Sequence, residues 1–464
     1  MDAPTSSQLI QFIVAAPGVV FIGLSIAWLL GWSGKERILA RLTVLTYGSL
    51  LVAVSLLAWT MISSGIRTVN VDLGHWFKVG GYGFRLSLMV DRLSLPMVAL
   101  TIVLVGLVGS FSIRYLHRDL GYFRFFLLMH LYAFGCLLLF TAGSLDLLIA
   151  GWEVVGITSV LLIGYFQYRR EPVKNAIRVF GTYRIADIFI LLAVFFTHHW
   201  SASSAWVDLF PGEWPDTSHV MTGPGTTIMA VLLVFAACGK SSQGPFSGWL
   251  PRAMEGPTPS SAVFYGAISV HAGAYLLLRI EPLLESAPIA RGLLLFIGVT
   301  TAVLATLIHR TCADAKTSLA YASMTQLAVI FAEVSMGWTT LALVHTIGHA
   351  ILRTAQFLRA PSMLHDYHRL HSAAGGHLDK VGEQYDALVP AKVQLWLYSV
   401  GLERGRYDAI VDRFVLRPLH SVSSFLLRIE PSWLGAPEAD PTESSSPPSI
   451  PASSSTSTTG DVHA

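Results

Sequence analysis

The sequence predicts an all-α polytopic membrane protein of about eleven transmembrane helices, one of them broken, followed by cytoplasmic amphipathic C-terminal helices. Three observations carry that prediction. Of 464 residues, 53% are hydrophobic and only 13% are charged, whereas a soluble domain carries about 25% charged residues. Mean hydropathy is +0.56. Apolar runs of about 20 residues, the length that spans a bilayer, recur through the first 360 positions. Lys+Arg 31 against Asp+Glu 29 leaves a net charge of +2, which excludes a basic nucleic-acid surface. Cys136, Cys238 and Cys312 lie in or beside apolar runs and form neither a metal spacing nor a disulfide framework. No short, cleavable signal peptide is expected.

The predicted spans cover 9–30, 42–63, 95–115, 123–140, 145–166, 175–196, 227–249, 260–280, 292–308, 318–336 and 339–358. Backbone in lipid must satisfy its own hydrogen bonds, so each is read as a helix. Basic residues set the orientation. Lys35, Arg37 and Arg41 follow the first span, Arg114, Arg118 and Arg124 the third, and Arg169, Arg170, Lys174 and Arg178 the fifth. Loops after the fourth, sixth and tenth spans lack Lys and Arg. These features place the N-terminus outside and the C-terminus in the cytoplasm. The long second loop alternates over 80–90 and reads as a small outer hairpin.

The chain divides into a transmembrane domain over 1–360, a cytoplasmic connector over 361–390, an amphipathic helical segment over 391–431 and a disordered tail over 432–464. The amphipathic segment places Val393, Trp396, Leu397, Ile410, Phe414 and Leu419 among charges, which suits a membrane face or a partner. The last part is rich in Ser, Thr and Pro. His365, His368, His371 and His377 match no common zinc spacing and read as a solvated stretch.

Ionisable residues inside a span cost roughly 2.5–3.5 kcal/mol each on insertion scales, so those that persist are candidate functional groups. Glu153 stands mid-span, Arg184 and Asp187 are three apart on one helical face, Lys240 lies in the seventh span and His271 in the eighth. His345, His349 and Arg353 repeat every four residues and share a face of the eleventh. Glu333, near a span end, reads as a snorkelling residue. A lone buried His is usually a packing residue, and Arg184 with Asp187 also fits a structural ion pair. Buried Glu, Lys and His in successive helices form the inventory a proton or ion relay needs. Gly239, Gly244, Pro245, Gly248, Pro251, Gly256, Pro257 and Pro259 break the chain around Lys240. Broken helices are tolerated at membrane depth where protein buries them or they line a cavity. Gly239-Lys240-Ser241 is not a phosphate loop, because Val234 stands where that motif needs Gly. No arrangement for covalent catalysis appears, so the chain reads as a transporter subunit rather than an enzyme.

Five motifs then stand in order: Gly151-Trp152-Glu153-Val154-Val155-Gly156, Gly239-Lys240-Ser241, Gly256-Pro257-Thr258-Pro259-Ser260-Ser261-Ala262, Asp314-Ala315-Lys316-Thr317-Ser318-Leu319-Ala320-Tyr321-Ala322-Ser323 and His345-Thr346-Ile347-Gly348-His349. Together they resemble the antiporter-like proton-channel subunits of respiratory complex I and of multi-subunit sodium/proton antiporters, over nearly all of 1–360. The resemblance implies that Glu153 and Lys240 are the channel Glu–Lys pair, that Arg184 and Asp187 are an ion pair, and that His345 and His349 are a central relay. Residues 402–419 resemble the far C-terminal segment of the complex I subunit of this type, from which several intervening spans are missing here.

Three positions depart from the pattern. Tyr265 replaces a His, His271 replaces a small residue and Arg353 replaces a Lys. Arginine stays protonated, so Arg353 would bias a relay without passing protons. The shortened chain, with Phe264-Tyr265-Gly266-Ala267 and His271-Ala272-Gly273-Ala274-Tyr275, looks most like the DabB kind of subunit, the membrane part of bacterial energy-coupled inorganic-carbon accumulation complexes. That resemblance implies a bacterial inner-membrane location and proton or other cation flow. It also implies a DabA-like zinc protein on the cytoplasmic face, carbonic-anhydrase-like, which would hold the zinc, with no cofactor in this chain. The alternative is a proton-translocating subunit of a complex I-like NADH-quinone oxidoreductase or a multi-subunit cation/proton antiporter. A non-conducting membrane anchor is a third reading.

Overall fold

A computed structural model describes residues 3–32, 35–79, 82–218, 224–373, 389–406, 413 and 417–434. Helices α1 (Ala3–Leu29), α2 (Glu36–Ser63), α3 (Ser94–Tyr115), α4 (Tyr122–Thr141), α5 (Leu145–Ile163) and α6 (Arg170–Ser201) form the first half of the bundle. Each is long enough to cross a bilayer at 1.5 Å per residue. Between α2 and α3, strands β1 (Val69–Val79) and β2 (Tyr82–Val90) pair antiparallel, from Val69 opposite Val90 to Val79 opposite Tyr82. The hairpin is longer than the stretch expected over 80–90, because 69–79 supplies its first strand. It packs on α1, α3, α4 and α5. Gly143 N–H donates to Ser87 O at 2.8 Å, and a Cβ at Gly143 would stand 2.8 Å from that same oxygen. Only glycine lets the α4–α5 turn approach the hairpin this closely.

After α6 come a short turn, α7 (Trp206–Leu209), two two-residue strands β3 (Gly212–Glu213) and β4 (Asp216–Thr217), and α8 (Pro224–Lys240). The seventh span was expected to continue to 249, but α8 stops at Lys240. Ser242 adopts a left-handed backbone with φ 55, and the prolines at 245 and 251 prevent the helix from resuming. The chain advances instead by 3₁₀ turns over Ser247–Trp249 and Pro251–Glu255. Trp249 Nε1 donates to Gly239 O at 2.9 Å, satisfying a carbonyl that the broken helix leaves open.

The eighth span is likewise not one helix. A turn, α9 (Thr258–Ser261), runs into a π-helical stretch Ala262–Ala267, and regular helix resumes in α10 (His271–Arg279). Then follow α11 (Glu281–Glu285), α12 (Pro288–Thr311), α13 (Ala315–Ser335) and α14 (Thr339–Ala373). Asp314, in the fourth motif, caps α13 by accepting from Thr317 N–H at 2.8 Å. α14 continues past 358, the expected end of the eleventh span. The π-helical stretch packs on α14, where a Cβ at Gly266 would meet Thr354 N at 2.8 Å.

Among the described residues, seven helices are long and apolar enough to cross a membrane, namely α1 to α6 and α12, with a shorter apolar helix over Gly225–Lys240. The chain is a mostly helical, multi-pass membrane protein. The expected set of about eleven spans, one of them broken, corresponds to these seven together with less apolar or interrupted elements. Helix Ala391–Leu402 packs on α12. Residues 406–464 form a separate unit, which contains helix Arg417–Leu434. His377, Ile410 and Phe414 and the side chains of Tyr265, His365, His368 and His371 lie outside the described residues.

Candidate ion-relay site

The first cluster forms where α5, α6 and the end of α8 meet. Arg184 donates to Glu153 and, at 2.9 Å, to Asp187 Oδ2. The expected Arg184–Asp187 pair is therefore part of a triad that bridges α5 and α6. Trp152 Nε1 donates to the other oxygen, Asp187 Oδ1, at 2.8 Å. Asp187 and Lys240 are buried, whereas the Glu153 and Arg184 side chains are 30% and 39% exposed.

Lys240 Nζ donates to Trp152 O at 2.8 Å and sits 4.8 Å from the ring centroids of both Trp152 and Tyr183. Aromatic faces attract a cation, so the pair of rings forms a cradle. A Cβ at Gly156 would stand 3.1 Å from Lys240 Nζ, so glycine makes room for the ammonium. Glu153 bonds to Arg184 while Lys240 reaches the Trp152 carbonyl, so the implied Glu–Lys pair is not a direct ion pair. Lys240 feels the charge of Asp187 and of Glu153 across the cluster.

Beyond Lys240, the two helix breaks are tied together. Ser241 Oγ donates to Val270 O at 2.7 Å, and Gln243 Nε2 donates to Ser241 O at 2.9 Å. His271 follows Val270 and opens α10. Its Nε2 lies 2.8 Å from His349 Nδ1. Arg353 Nε faces His349 Nε2 at 3.3 Å, and Arg353 Nη1 donates to Gln356 Oε1 at 2.7 Å. The His345 and His349 rings have centroids 6.4 Å apart. His345 Nδ1 reaches Glu333 Oε1 at 2.9 Å, and its Nε2 reaches Gln326 Oε1 at 3.0 Å.

One sequence reading changes here. Glu333 does not snorkel: its side chain is 12% exposed and pairs with His345, because α13 and α14 pack with that face inward. His271, a candidate relay group in the sequence, bonds to His349 across the α10–α14 contact. Sequence reasoning missed Gln326, Trp152 and Tyr183. Gln326 and Glu333 stand seven apart on α13, two turns along one face, which was a readable signal. Nothing in the sequence marked the two aromatic rings as a cradle for Lys240.

The polar groups form two clusters, Glu153–Arg184–Asp187 with Lys240 and His271–His349–His345–Glu333, and the Ser241–Val270 hydrogen bond ties the helix breaks between them. Comparison with known proteins gives them a setting. A family model described as NADH:quinone oxidoreductase/Mrp antiporter, TM, matches residues 142–378, just over half of the chain. The chain belongs to this family.

A second model, for the N-terminus of chain 5 of NADH-ubiquinone oxidoreductase (complex I), matches residues 76–126. NAD(P)H-quinone oxidoreductase chain 5 of Picosynechococcus is 32% identical over 353 residues, 75% of this chain and 52% of that protein. NADH-quinone oxidoreductase subunit L of Rhodobacter capsulatus is 29% identical over 367 residues, 75% of this chain and 51% of that protein. The chain thus spans about half the length of these relatives. Among solved structures, the Mrp complex from Dietzia matches with a TM-score of 0.62 and 28% identity, over 74% of this chain and 37% of that chain. The archaeal membrane-bound sulfane sulfur reductase matches in fold, with a TM-score of 0.64 and 18% identity, over 76% of this chain and 70% of that chain.

Proposed function

We propose that this chain is a proton-translocating subunit of a multi-subunit membrane complex of the complex I and Mrp kind. Lys240 would exchange protons with the Glu153–Arg184–Asp187 triad on one side and with the His271–His349–His345 file on the other. One observation carries the reading: a buried lysine sits at a helix break, its ammonium on a neutral carbonyl and two rings, with the nearby carboxylates held by Arg184. Such a lysine can shed its proton when its neighbours shift, because no carboxylate grips it directly. Arg184 and Arg353 stay charged and bias the path without carrying protons. The test is proton flux into liposomes that contain the purified complex, followed with a trapped pH dye. Lys240→Ala abolishes flux while insertion and assembly persist. Unchanged flux leaves only the reading of a non-conducting membrane anchor.

The sequence resemblance suggests a second setting within this class. There, cation flow would drive a zinc-containing, DabA-like partner on the cytoplasmic face to hydrate CO2 in one direction. The His271–His349 contact suits a relay in either setting. Zinc would belong to that partner. Identifying the proteins that co-purify with the chain separates the two settings: a zinc protein in one case, other antiporter-like subunits in the other.

A further inference from the structure

A cleft of about 940 Å³ opens between α4, α5 and α6, with Trp28 of α1 at its side. Its inner wall, Phe180, carries the Arg184 guanidinium 5.2 Å from its ring centroid. Its walls are apolar, among them Leu127, Val160, Leu161, Ile177 and Phe180. Arg124, Gln167 and Tyr168 stand at one end, beside the start of α4, the end of α5 and the start of α6. These termini share one membrane surface. From Arg170 to Phe180, α6 rises about 15 Å, half of the ~30 Å hydrocarbon core. The cleft is therefore one leaflet deep. A transmembrane helix of a partner would need a groove through both leaflets, whereas an acyl chain needs only one.

Arg124 and Asp119 line the mouth, and the segments that flank it in sequence carry Arg118, Arg169, Arg170, Lys174 and Arg178 against Glu171. Asp119 is already engaged by Tyr165 Oη at 2.6 Å and by Gly121 N–H at 2.7 Å. Arg124 Nη2 donates to Tyr165 O at 2.5 Å, which fixes the guanidinium at the rim. Its Nε is buried without a partner. Basic pockets between membrane helices suit anionic headgroups.

We propose that this cleft is a binding site for one anionic phospholipid, with an acyl chain between α4, α5 and α6 and the phosphate at Arg124. The full chain is purified in mild detergent and titrated by native mass spectrometry with dioleoyl phosphatidylglycerol, dioleoyl phosphatidylcholine and inorganic phosphate. Phosphatidylglycerol binds first, roughly tenfold more tightly than phosphatidylcholine, because both offer the same phosphate but the choline cation cancels its charge beside the Arg124 guanidinium. Inorganic phosphate does not displace it. Arg124→Gln removes the preference between the two lipids. Leu161→Trp narrows the groove, leaves every basic residue in place and lowers occupancy by both lipids. Equal binding of the two lipids to the unaltered chain overturns the proposal, as does phosphatidylglycerol binding that neither substitution changes. If Arg124→Gln does not fold, Arg124→Lys, which keeps the charge and should keep the preference, and Leu161→Trp decide the matter.

Discussion

His271 Nε2 and His349 Nδ1 lie 2.8 Å apart, both side chains buried, one opening α10 just past the helix break and the other on α14. Two imidazole nitrogens at that distance require one proton between them, one ring donating and the other accepting. His271→Ala leaves a buried ring nitrogen of His349 without its partner. That costs about 1–3 kcal/mol of stability, read as a lowered unfolding midpoint in detergent. Proton flux should fall at least about tenfold, because general acid–base groups contribute that much or more. Flux equal to that of the unaltered protein would remove His271 from the path.

Gly156 tests how tightly the Lys240 ammonium is placed. A Cβ there stands 3.1 Å from Nζ, so Gly156→Ala pushes the ammonium off the Trp152 carbonyl. The expected result is a several-fold loss of flux with the protein still folded, since alanine suits a helix better than glycine by about 1 kcal/mol. Lys240→Arg keeps a cation but adds bulk at the same wall and cannot lose its proton. It should conduct nothing. Conduction by Lys240→Arg would mean that charge alone, not proton exchange, is what this position supplies.

The Arg184 triad invites a double-mutant cycle. Asp187 is buried, while Arg184 and Glu153 are partly open. Arg184→Met strips both carboxylates of their cation, and Asp187→Asn keeps the acceptor for Trp152 Nε1. Coupling between the two substitutions should be about 1–2 kcal/mol in unfolding free energy, within the range for neighbours in one network and reduced by the exposure of Arg184. Additive effects would show that Asp187 is held mainly by Trp152.

The fold and much of the site were legible because the bilayer imposes a severe filter. A charge in an apolar run is costly, so Glu153, Arg184, Asp187, Lys240, His345 and His349 stood out by position alone. The breaks were legible as a cluster of Gly and Pro around Lys240. The exact stop was not, since Lys240 itself is compatible with helix and the left-handed turn at Ser242 leaves no composition signal. Glu333 was misread because its nearness to a span end mimics snorkelling. Only the packing of α13 on α14 shows that it faces His345. His271 was read as a relay candidate, but its partner was not legible, since His349 lies 78 residues away in sequence. Asp91 and Arg279, 188 residues apart, escaped notice altogether, since each stands at the edge of an apolar run where a charge costs little.

Asp91 joins β2 to α3, and Arg279 ends α10. Asp91 Oδ2 accepts from Arg279 Nη1 at 2.5 Å and Oδ1 from Nη2 at 3.1 Å, while Ser94 N–H and Leu93 N–H also donate to Oδ1. Arg279 Nη2 reaches Tyr275 Oη at 3.0 Å as well. Burial alone would raise the Asp91 carboxyl, but the Arg279 charge and hydrogen bonds, with those from Ser94, outweigh it and hold the carboxyl below its ordinary value. An acid whose value is lower in the folded state stabilises the fold above its unfolded value, and that contribution is lost as pH falls through the folded value. The unfolded carboxyl titrates near about 3.9. Asp91→Asn leaves a buried guanidinium without its counter-charge, which should cost about 3 kcal/mol or more. The stability gap between the unaltered protein and Asp91→Asn should therefore be flat from about pH 8 to pH 5 and close only below about pH 4. Denaturant unfolding in detergent across that range measures it. A gap that shrinks between pH 7 and pH 5 would show that the carboxyl is not held low and that the pair does not fasten the hairpin junction to α10 as described.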